Sequence, residues 1–208
     1  MKALGWMISL GLVGAPGTVI NFDSGQIGKL PSGWSVPAPS GAAPRWEIRK
    51  DRTAPTQPYV LAQLSSVPGA NRAPLAILNN LNLRDGDVSV RIKPVAGRED
   101  PGGGLVWRYR DENNYYLART NVVENTVAVD KVENGRRIPL VAPVKHDIPF
   151  NAWSILKVSV HGNHFQIYVD HRRILQGWDN TYIGPGKVGL CTIADSVTYF
   201  DDFRAYPK

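Results

Sequence analysis

Short segments in which apolar and polar residues alternate follow one another along most of this 208-residue chain. An alternation with a period of two places successive side chains on opposite faces of a strand, whereas a helix needs a period near 3.6. Turn signals such as Asp85-Gly86, Asn134-Gly135 and Gly162-Asn163 separate the segments. The pattern therefore predicts an all-β fold, a two-sheet antiparallel β-sandwich of jelly-roll type.

The sequence also predicts individual strands and hairpins. The predicted strands span residues 19–22, 45–50, 59–64, 75–79, 88–95, 104–110, 115–121, 126–132, 136–141, 154–160, 165–169, 173–176, 188–193 and 197–206. Asn134-Gly135 is a strong signal for a two-residue hairpin turn. Segments 155–161 and 164–170 alternate in the register of an antiparallel hairpin with one apolar face.

Composition limits the classes of partner. The net charge is +6, but no run of Lys and Arg is longer than two residues. Nucleic-acid binding needs clustered cations, so we expect no nucleic-acid partner. Cys191 is the only cysteine, which excludes an intrachain disulfide, and its apolar strand predicts a buried, inert thiol. The oligomeric state stays open.

The first 17 residues have the features of a signal peptide. Lys2 precedes an apolar run over residues 3–13, and Ala15-Pro16-Gly17 supplies small residues where cleavage would occur. The run is too short to span a membrane, and the alternative is a buried first strand. We therefore expect a secreted or periplasmic protein with one domain over residues 18–208.

Residues 102–125 carry an unusual density of arginine, tyrosine and asparagine on two predicted strands. Planar groups that donate and accept hydrogen bonds are what a polyhydroxylated ligand such as a sugar requires. The candidate ligand-binding residues are Arg108, Arg110, Tyr116, Arg119, Asn121, Glu124 and Asn125. The alternative is that Arg108 or Arg119 forms a cross-strand ion pair with Glu124 or Asp130. Alternation places Trp107, Tyr109 and Trp153 in the core.

The order of several motifs resembles the concanavalin A-like jelly-roll superfamily, and within it most nearly the 3-keto-disaccharide hydrolase-like family. The motifs are Gly104-Leu-Val-Trp-Arg-Tyr109, Asn114-Tyr-Tyr-Leu-Ala-Arg119, Gly186-Lys-Val-Gly-Leu190 and Phe200-Asp-Asp-Phe203, with Trp34, Trp46 and Trp153. The superfamily contains lectins, carbohydrate-binding modules and glycosidases, so the resemblance implies a fold and leaves the function open.

A catalytic role has weaker support. Glycosidases usually need two carboxyl groups roughly 5 to 10 Å apart. The laminarinase-like pattern Glu-x-Asp-x-x-Glu is absent, and Glu124 and Asp130 would stand about 20 Å apart along an extended chain. The resemblance to keto-disaccharide hydrolases implies cleavage of an oxidised sugar, for which Glu124, His146 and Arg108 are the candidates. Three functions stay open: an exported glycan-recognising domain, a hydrolase or lyase acting on 3-keto-disaccharides, and a structural or protein-binding jelly roll.

Acidic residues near both ends of the predicted domain are candidate metal ligands. Related jelly rolls often carry a structural Ca²⁺ where the first and last strands meet, and the resemblance nominates Asp23 and Asp202, with Asp201 less strongly indicated. Carboxylate oxygens are the ligands that Ca²⁺ prefers. The alternative is that one of these carboxylates is solvated and another accepts backbone hydrogen bonds.

Overall fold

A computed structural model describes residues 17–37, 44–66 and 73–208 of the chain. The predicted signal peptide lies almost wholly outside these residues. The described residues form strands and turns without a helix, and so none of them forms a helix that could cross a membrane.

The fold is a sandwich of two antiparallel sheets, as the alternating sequence predicts. The first sheet has the order β14-β13-β12-β6-β16-β4-β3, with β1 on β16. Its strands are β1 (Thr18–Ile20), β3 (Trp46–Lys50), β4 (Tyr59–Gln63), β6 (Gly86–Ala96), β12 (Ser154–His161), β13 (His164–Val169), β14 (Arg172–Trp178) and β16 (Val197–Pro207).

The second sheet has the order β10-β9-β8-β7-β15-β5-β2, with β11 on β9. Its strands are β2 (Trp34–Ser35), β5 (Leu75–Leu83), β7 (Gly104–Asp111), β8 (Asn114–Asn121), β9 (Thr126–Glu133), β10 (Arg136–Pro139), β11 (Val144–Lys145) and β15 (Gly186–Cys191). The sequence did not predict β2 and β11, which have two residues each and are too short to show alternation.

Two predicted hairpins are confirmed. Asn134 and Gly135 join β9 to β10 with φ values of 51° and 76°, the conformation that a two-residue turn requires. The β12–β13 hairpin has the predicted register, in which Val158 pairs with Ile167 and both are fully buried. Its apolar face covers one side of the core between the sheets.

A β-bulge at Arg108 interrupts the alternation of β7, so that the side chains after it face the opposite side of the sheet from the one predicted. Leu105 and Trp107 face the core between the sheets, as predicted. Arg108 has a φ of 49°, and the pairing with β8 shifts after Trp107. Tyr109 therefore joins a second apolar cluster on the outer face of the second sheet, together with Val106, and not the main core where it was predicted.

Gly186 on β15 permits this bulge. A Cβ at position 186 would lie 2.5 Å from the carbonyl carbon of Arg108, so the backbones approach too closely for any other residue. Trp153 is the other aromatic residue placed differently from the prediction. It is only half-buried, because it lies just before β12 and donates its indole N–H to Thr53.

Candidate functional site

Four charged side chains meet on the outer face of the second sheet. We call Asp100, Arg119, Asp130 and Arg137 the outer-face cluster. Arg119 lies at its centre, with Nε 3.1 Å from Asp130 Oδ2 and Nη1 3.3 Å from Asp100 Oδ2. Arg137 Nε is 4.0 Å from the same Asp130 oxygen. The Asp130 side chain is only 3% exposed, so much of this charge is withdrawn from water.

Strand register explains why three of these residues share a face. Asp130 on β9 pairs with Leu117 on β8, two residues before Arg119 on the same side of that strand. Arg137 on β10 pairs with Val132, two residues beyond Asp130. Side chains two residues apart point the same way, so the tight β9–β10 turn fixes Arg137 beside Asp130.

Asp100 reaches the cluster from a loop that Asp195 holds in place. The two carboxylate oxygens of Asp195 accept hydrogen bonds from the backbone N–H groups of Arg98, at 2.8 Å, and Glu99, at 3.1 Å. Burial would raise the pKa of Asp195, but these backbone donors hold it below its usual value. Asp195 thus positions Asp100 without contacting Arg119 itself.

The electrostatics of the cluster follow from burial and proximity. Burial raises the pKa of Asp100, although the charges of Arg119 and Arg137 oppose the shift. Burial alone would lower the pKa of Arg119, but the charges of Asp100 and Asp130 raise it overall. The cluster is therefore a set of interdependent charges in which each group favours the charged form of its neighbours of opposite sign.

Two polar atoms of the cluster have no hydrogen-bond partner among the described residues. They are the acceptor Asp100 Oδ1 and the donor Arg137 Nη1, and both are buried. Their side chains are still partly exposed, at 15% for Asp100 and 21% for Arg137. A buried polar group without a partner is costly, so a ligand that offered both a donor and an acceptor here would recover that cost.

Four of the predicted ligand-binding residues lie towards one end of the β8–β9 hairpin. Arg119 belongs to the cluster, and its ion pair with Asp130 is the alternative that the sequence had left open. Asn121 is buried and accepts a hydrogen bond from the backbone N–H of Glu124 at 2.8 Å, which shapes the turn. Glu124 and Asn125 are exposed in that turn.

Arg108 is not available to a ligand, contrary to the prediction. Its side chain is 3% exposed. The guanidinium donates to the backbone carbonyls of Arg84, Tyr182 and Gly162, and Nη2 lies 3.4 Å from Asp85. The bulge directs the Arg108 side chain towards the edge of the sandwich, where its hydrogen bonds link three loops.

Tyr116 and Arg110 are also separated from the cluster. Tyr116 faces the core between the sheets, where its ring stacks on Trp107 with centroids 5.3 Å apart, and its hydroxyl donates to Asp179. Arg110 is exposed and lies 4.8 Å above the Tyr182 ring. Both lie towards the opposite end of β7 and β8 from Asn121, so the predicted set divides into two groups.

The three candidates for keto-sugar cleavage do not form one site. The backbone N–H of His146 donates to the carbonyl of Asn125, which places His146 near Glu124 at one end of the second sheet. Arg108 is buried near Gly162 at the other end. An acid, a base and an oxyanion donor must surround one reacting bond, so this trio cannot act together.

The acidic residues nominated for calcium converge only in part. Asp202 accepts hydrogen bonds from Thr56 Oγ1 at 2.9 Å and from Arg91 Nε at 3.1 Å, so its oxygens already face donors. Burial raises the pKa of Asp201 to about 7, and the charges of Asp202 and Asp23 add to the shift. Asp201 also accepts the backbone N–H groups of Thr56, at 2.8 Å, and Asp202, at 2.7 Å, and Asp23 accepts that of Tyr59 at 3.0 Å, so all three carboxylates already face donors.

No group of three or more His, Cys, Asp or Glu side chains that could hold a metal occurs within residues 17–37, 44–66 and 73–208. A calcium site here would need backbone carbonyls as further ligands. The calcium site stays a prediction.

Sequence reasoning missed three residues of the site region. Asp100 and Asp195 lie in loops, whose contacts no periodicity predicts. Arg137 carried a usable signal, because the Asn134-Gly135 turn fixes the β9–β10 register and places Arg137 opposite Val132.

Comparison with known proteins supports the fold. No family model matches the chain. The carbohydrate-binding module CBM66 from Bacillus subtilis superposes with a TM-score of 0.66 over 83% of this chain and 94% of that one, at 22% sequence identity. A β-glucanase from Bacillus licheniformis superposes with a TM-score of 0.59 over 92% and 98% of the two chains, at 12% identity. The chain has a concanavalin A-like jelly-roll fold.

One curated protein is similar in sequence. Levanase of Bacillus subtilis (strain 168) is 31% identical over 114 residues, which are 54% of this chain and 16% of the levanase. Since the match spans a small part of that longer protein, it does not transfer the levanase activity. The resemblance to the 3-keto-disaccharide hydrolase-like family stays a prediction.

Proposed function

We propose that this chain is an exported glycan-recognising domain, and that the glycan binds at the outer-face cluster. The observation that carries the proposal is the pair of unpartnered buried atoms, Asp100 Oδ1 and Arg137 Nη1. A sugar hydroxyl can donate to the first or accept from the second once the partly exposed side chains turn these atoms towards a ligand. The likenesses to a carbohydrate-binding module and to part of a levanase support a sugar as the ligand.

The chemistry of the cluster favours binding over cleavage. Arg119 lies between Asp100 and Asp130, so both carboxylates are engaged by a cation. A glycosidase needs one carboxyl group that can give up a proton to the leaving oxygen and a second that faces the sugar ring. Carboxylates held by arginine instead act as fixed acceptors for hydroxyl groups, as in a binding site.

The proposal is tested by glycan binding to the purified domain, with levan as the first ligand and a panel of neutral polysaccharides beside it. Arg137→Met removes the unpartnered donor but leaves the Arg119 ion pairs intact. We expect it to weaken binding by roughly tenfold, the value of one charge-assisted hydrogen bond. The matched control is Arg136→Met, an exposed neighbour on the other face of β10, which should bind as the parent does.

Two results would contradict the proposal. Absence of binding to every glycan of the panel would favour a structural or protein-binding jelly roll. Equal binding by Arg137→Met and the parent would show that the ligand lies elsewhere on the domain. Export is tested separately, by the intact mass of secreted protein, which should lack the first residues up to about Gly17.

A further inference from the structure

A second site is indicated on the opposite side of the molecule, on the outer face of the first sheet. A hollow of about 210 Å³ lies there across β6, β12, β13 and β16. Its lining includes Ser89, Arg91, Lys157, Tyr168 and Arg204. None of these residues belongs to the outer-face cluster, which lies on the second sheet.

Strand register explains why a hollow forms at this point. Tyr168 pairs with Lys157, Lys157 pairs with Ser89, and Ser89 pairs with Arg204, so four strands place these side chains in one row. Neighbouring strands are about 4.8 Å apart, so the Cα atoms of Lys157 and Arg204 are separated by about 10 Å. The small side chain of Ser89 between them forms the floor of the hollow.

The hollow carries an excess of positive charge. Arg91, Lys157 and Arg204 line it with one carboxylate, Asp202. Asp202 is shared, with Oδ2 3.1 Å from Arg91 Nε and Oδ1 3.6 Å from Arg204 Nη2. One carboxylate cannot neutralise two guanidinium groups.

Within the part of the chain that the structure describes, the one carboxylate paired with Lys157 is distant. Its Nζ lies 3.9 Å from Asp87 Oδ2, and Asp87 already accepts hydrogen bonds from Ser159 and Lys208. Lys157, Arg91 and Arg204 keep 33%, 38% and 45% of their side-chain surface exposed. The cations can therefore reach a ligand from solvent.

One wall of the hollow is flat and apolar. The Tyr168 ring lies beneath Lys157, whose Nζ is 4.2 Å from the ring centroid, and Ile155 lines the same hollow. The ammonium covers this face of the ring, so the tyrosine fixes Lys157 at the wall, where its charge meets an anionic group while the ligand's carbon skeleton packs on Ile155.

We propose that this hollow binds an acidic sugar residue, with its anionic group held between Lys157 and Arg204 above Ser89. The anionic group is a carboxylate or a sulfate ester, and both have oxygen acceptors that a lysine and an arginine can share. A sugar is favoured over a nucleic acid because three cations around one small hollow do not form a track along a phosphate backbone.

The proposal is tested by isothermal titration of the whole domain with trigalacturonate, and with a sulfated trisaccharide to compare the two anionic groups. A neutral trisaccharide and inorganic phosphate serve as reference ligands. We expect both acidic sugars to bind more tightly than either reference, and the tighter of the two identifies the preferred anion. Lys157→Gln should weaken that binding roughly tenfold, the loss of one charge-assisted contact. Lys50→Gln removes the same charge at an exposed position on edge strand β3 and should change nothing.

Ser89→Leu separates a defined site from general attraction between opposite charges. This change fills the floor of the hollow and keeps every charge, so we expect it to abolish binding of the acidic sugar. Both Lys157→Gln and Ser89→Leu should unfold in urea cooperatively, as the parent does by tryptophan fluorescence, which shows that they fold whether or not a glycan binds the outer-face cluster. Failure of this proposal and failure of the proposed function are therefore distinguishable.

Four results would overturn the proposal. They are equal binding of acidic and neutral trisaccharides, binding of phosphate as tight as that of the acidic sugar, retention of binding by Ser89→Leu, and tighter binding of a single-stranded oligonucleotide.

Discussion

Removal of the Arg119 guanidinium should destabilise the domain in a manner that depends on pH. Arg119→Met keeps most of the side-chain volume and leaves two carboxylates without their main partner. Asp100 and Arg119 have 15% of their side-chain surface exposed and Asp130 has 3%. Removal of one member of a buried ion pair costs about 3–5 kcal/mol of stability. The partial exposure here places the expected loss near the lower end, at about 3 kcal/mol at pH 7.5.

The pH dependence has a definite sign. Burial already raises the pKa of Asp100 in the parent, with Arg119 opposing the shift. Without Arg119 that pKa rises further, so the folded variant holds a proton that the unfolded chain releases. A carboxyl whose pKa is raised by folding leaves stability undiminished at a pH below its pKa in the unfolded chain. That stability is lost as the pH rises through its pKa in the folded state. The loss caused by Arg119→Met should therefore be smaller at pH 5 than at pH 7.5.

Urea unfolding followed by tryptophan fluorescence at the two pH values measures both effects. Arg136→Met is the control, and as an exposed substitution it should change the unfolding free energy by less than about 0.5 kcal/mol. Arg119→Met combined with Asp100→Asn and Asp130→Asn should recover part of the loss, because neither buried carboxylate then lacks its cation. A loss below about 1 kcal/mol at pH 7.5, or the same loss at pH 5, would refute the reasoning.

Three further predictions concern other parts of the fold. Asp195→Asn should weaken glycan binding at the outer-face cluster, because it frees the Asp100 loop. The unfolding free energy of the variant should also fall less than that of the parent below about pH 4, because the depressed pKa of Asp195 contributes stability that is lost as the pH falls. Glycan binding and acid unfolding equal to those of the parent would contradict this. Cys191 is fully buried and burial raises the pKa of its thiol to about 12, so a thiol reagent should label it at neutral pH only after unfolding, and rapid labelling of the folded domain would be the opposing result. If Ca²⁺ binds near Asp23, millimolar calcium should raise the melting temperature of the parent and not that of Asp23→Asn, whereas a melting curve insensitive to calcium and chelator would reject the site.

The sequence predicted the fold because alternation is a local property of each strand. The β12–β13 hairpin has the predicted register, since each apolar residue there must face the same core. The Asn134-Gly135 turn is also local, because few residues adopt positive φ at two successive positions. Neither feature depends on where the strands lie in the sheets.

The candidate site was predicted only where it depended on such local rules. Arg119 was identified, and its partner Asp130 was one of two carboxylates considered. The prediction for Arg108 was wrong, because a β-bulge changes the face to which a side chain points. An alternating sequence pattern does not reveal such a bulge.

The sequence by itself determined the class of fold, the core-facing residues of most strands and the burial of the single thiol. Only the tertiary structure decided which charges meet. Asp100 and Arg119 are 19 positions apart in the chain, and the contact between them depends on a loop that Asp195 holds from a further segment. Tyr168 and Arg204 share a row only because four strands assemble in one register. Contacts between distant segments follow from sheet order and loop anchoring, which the alternation of apolar residues does not encode.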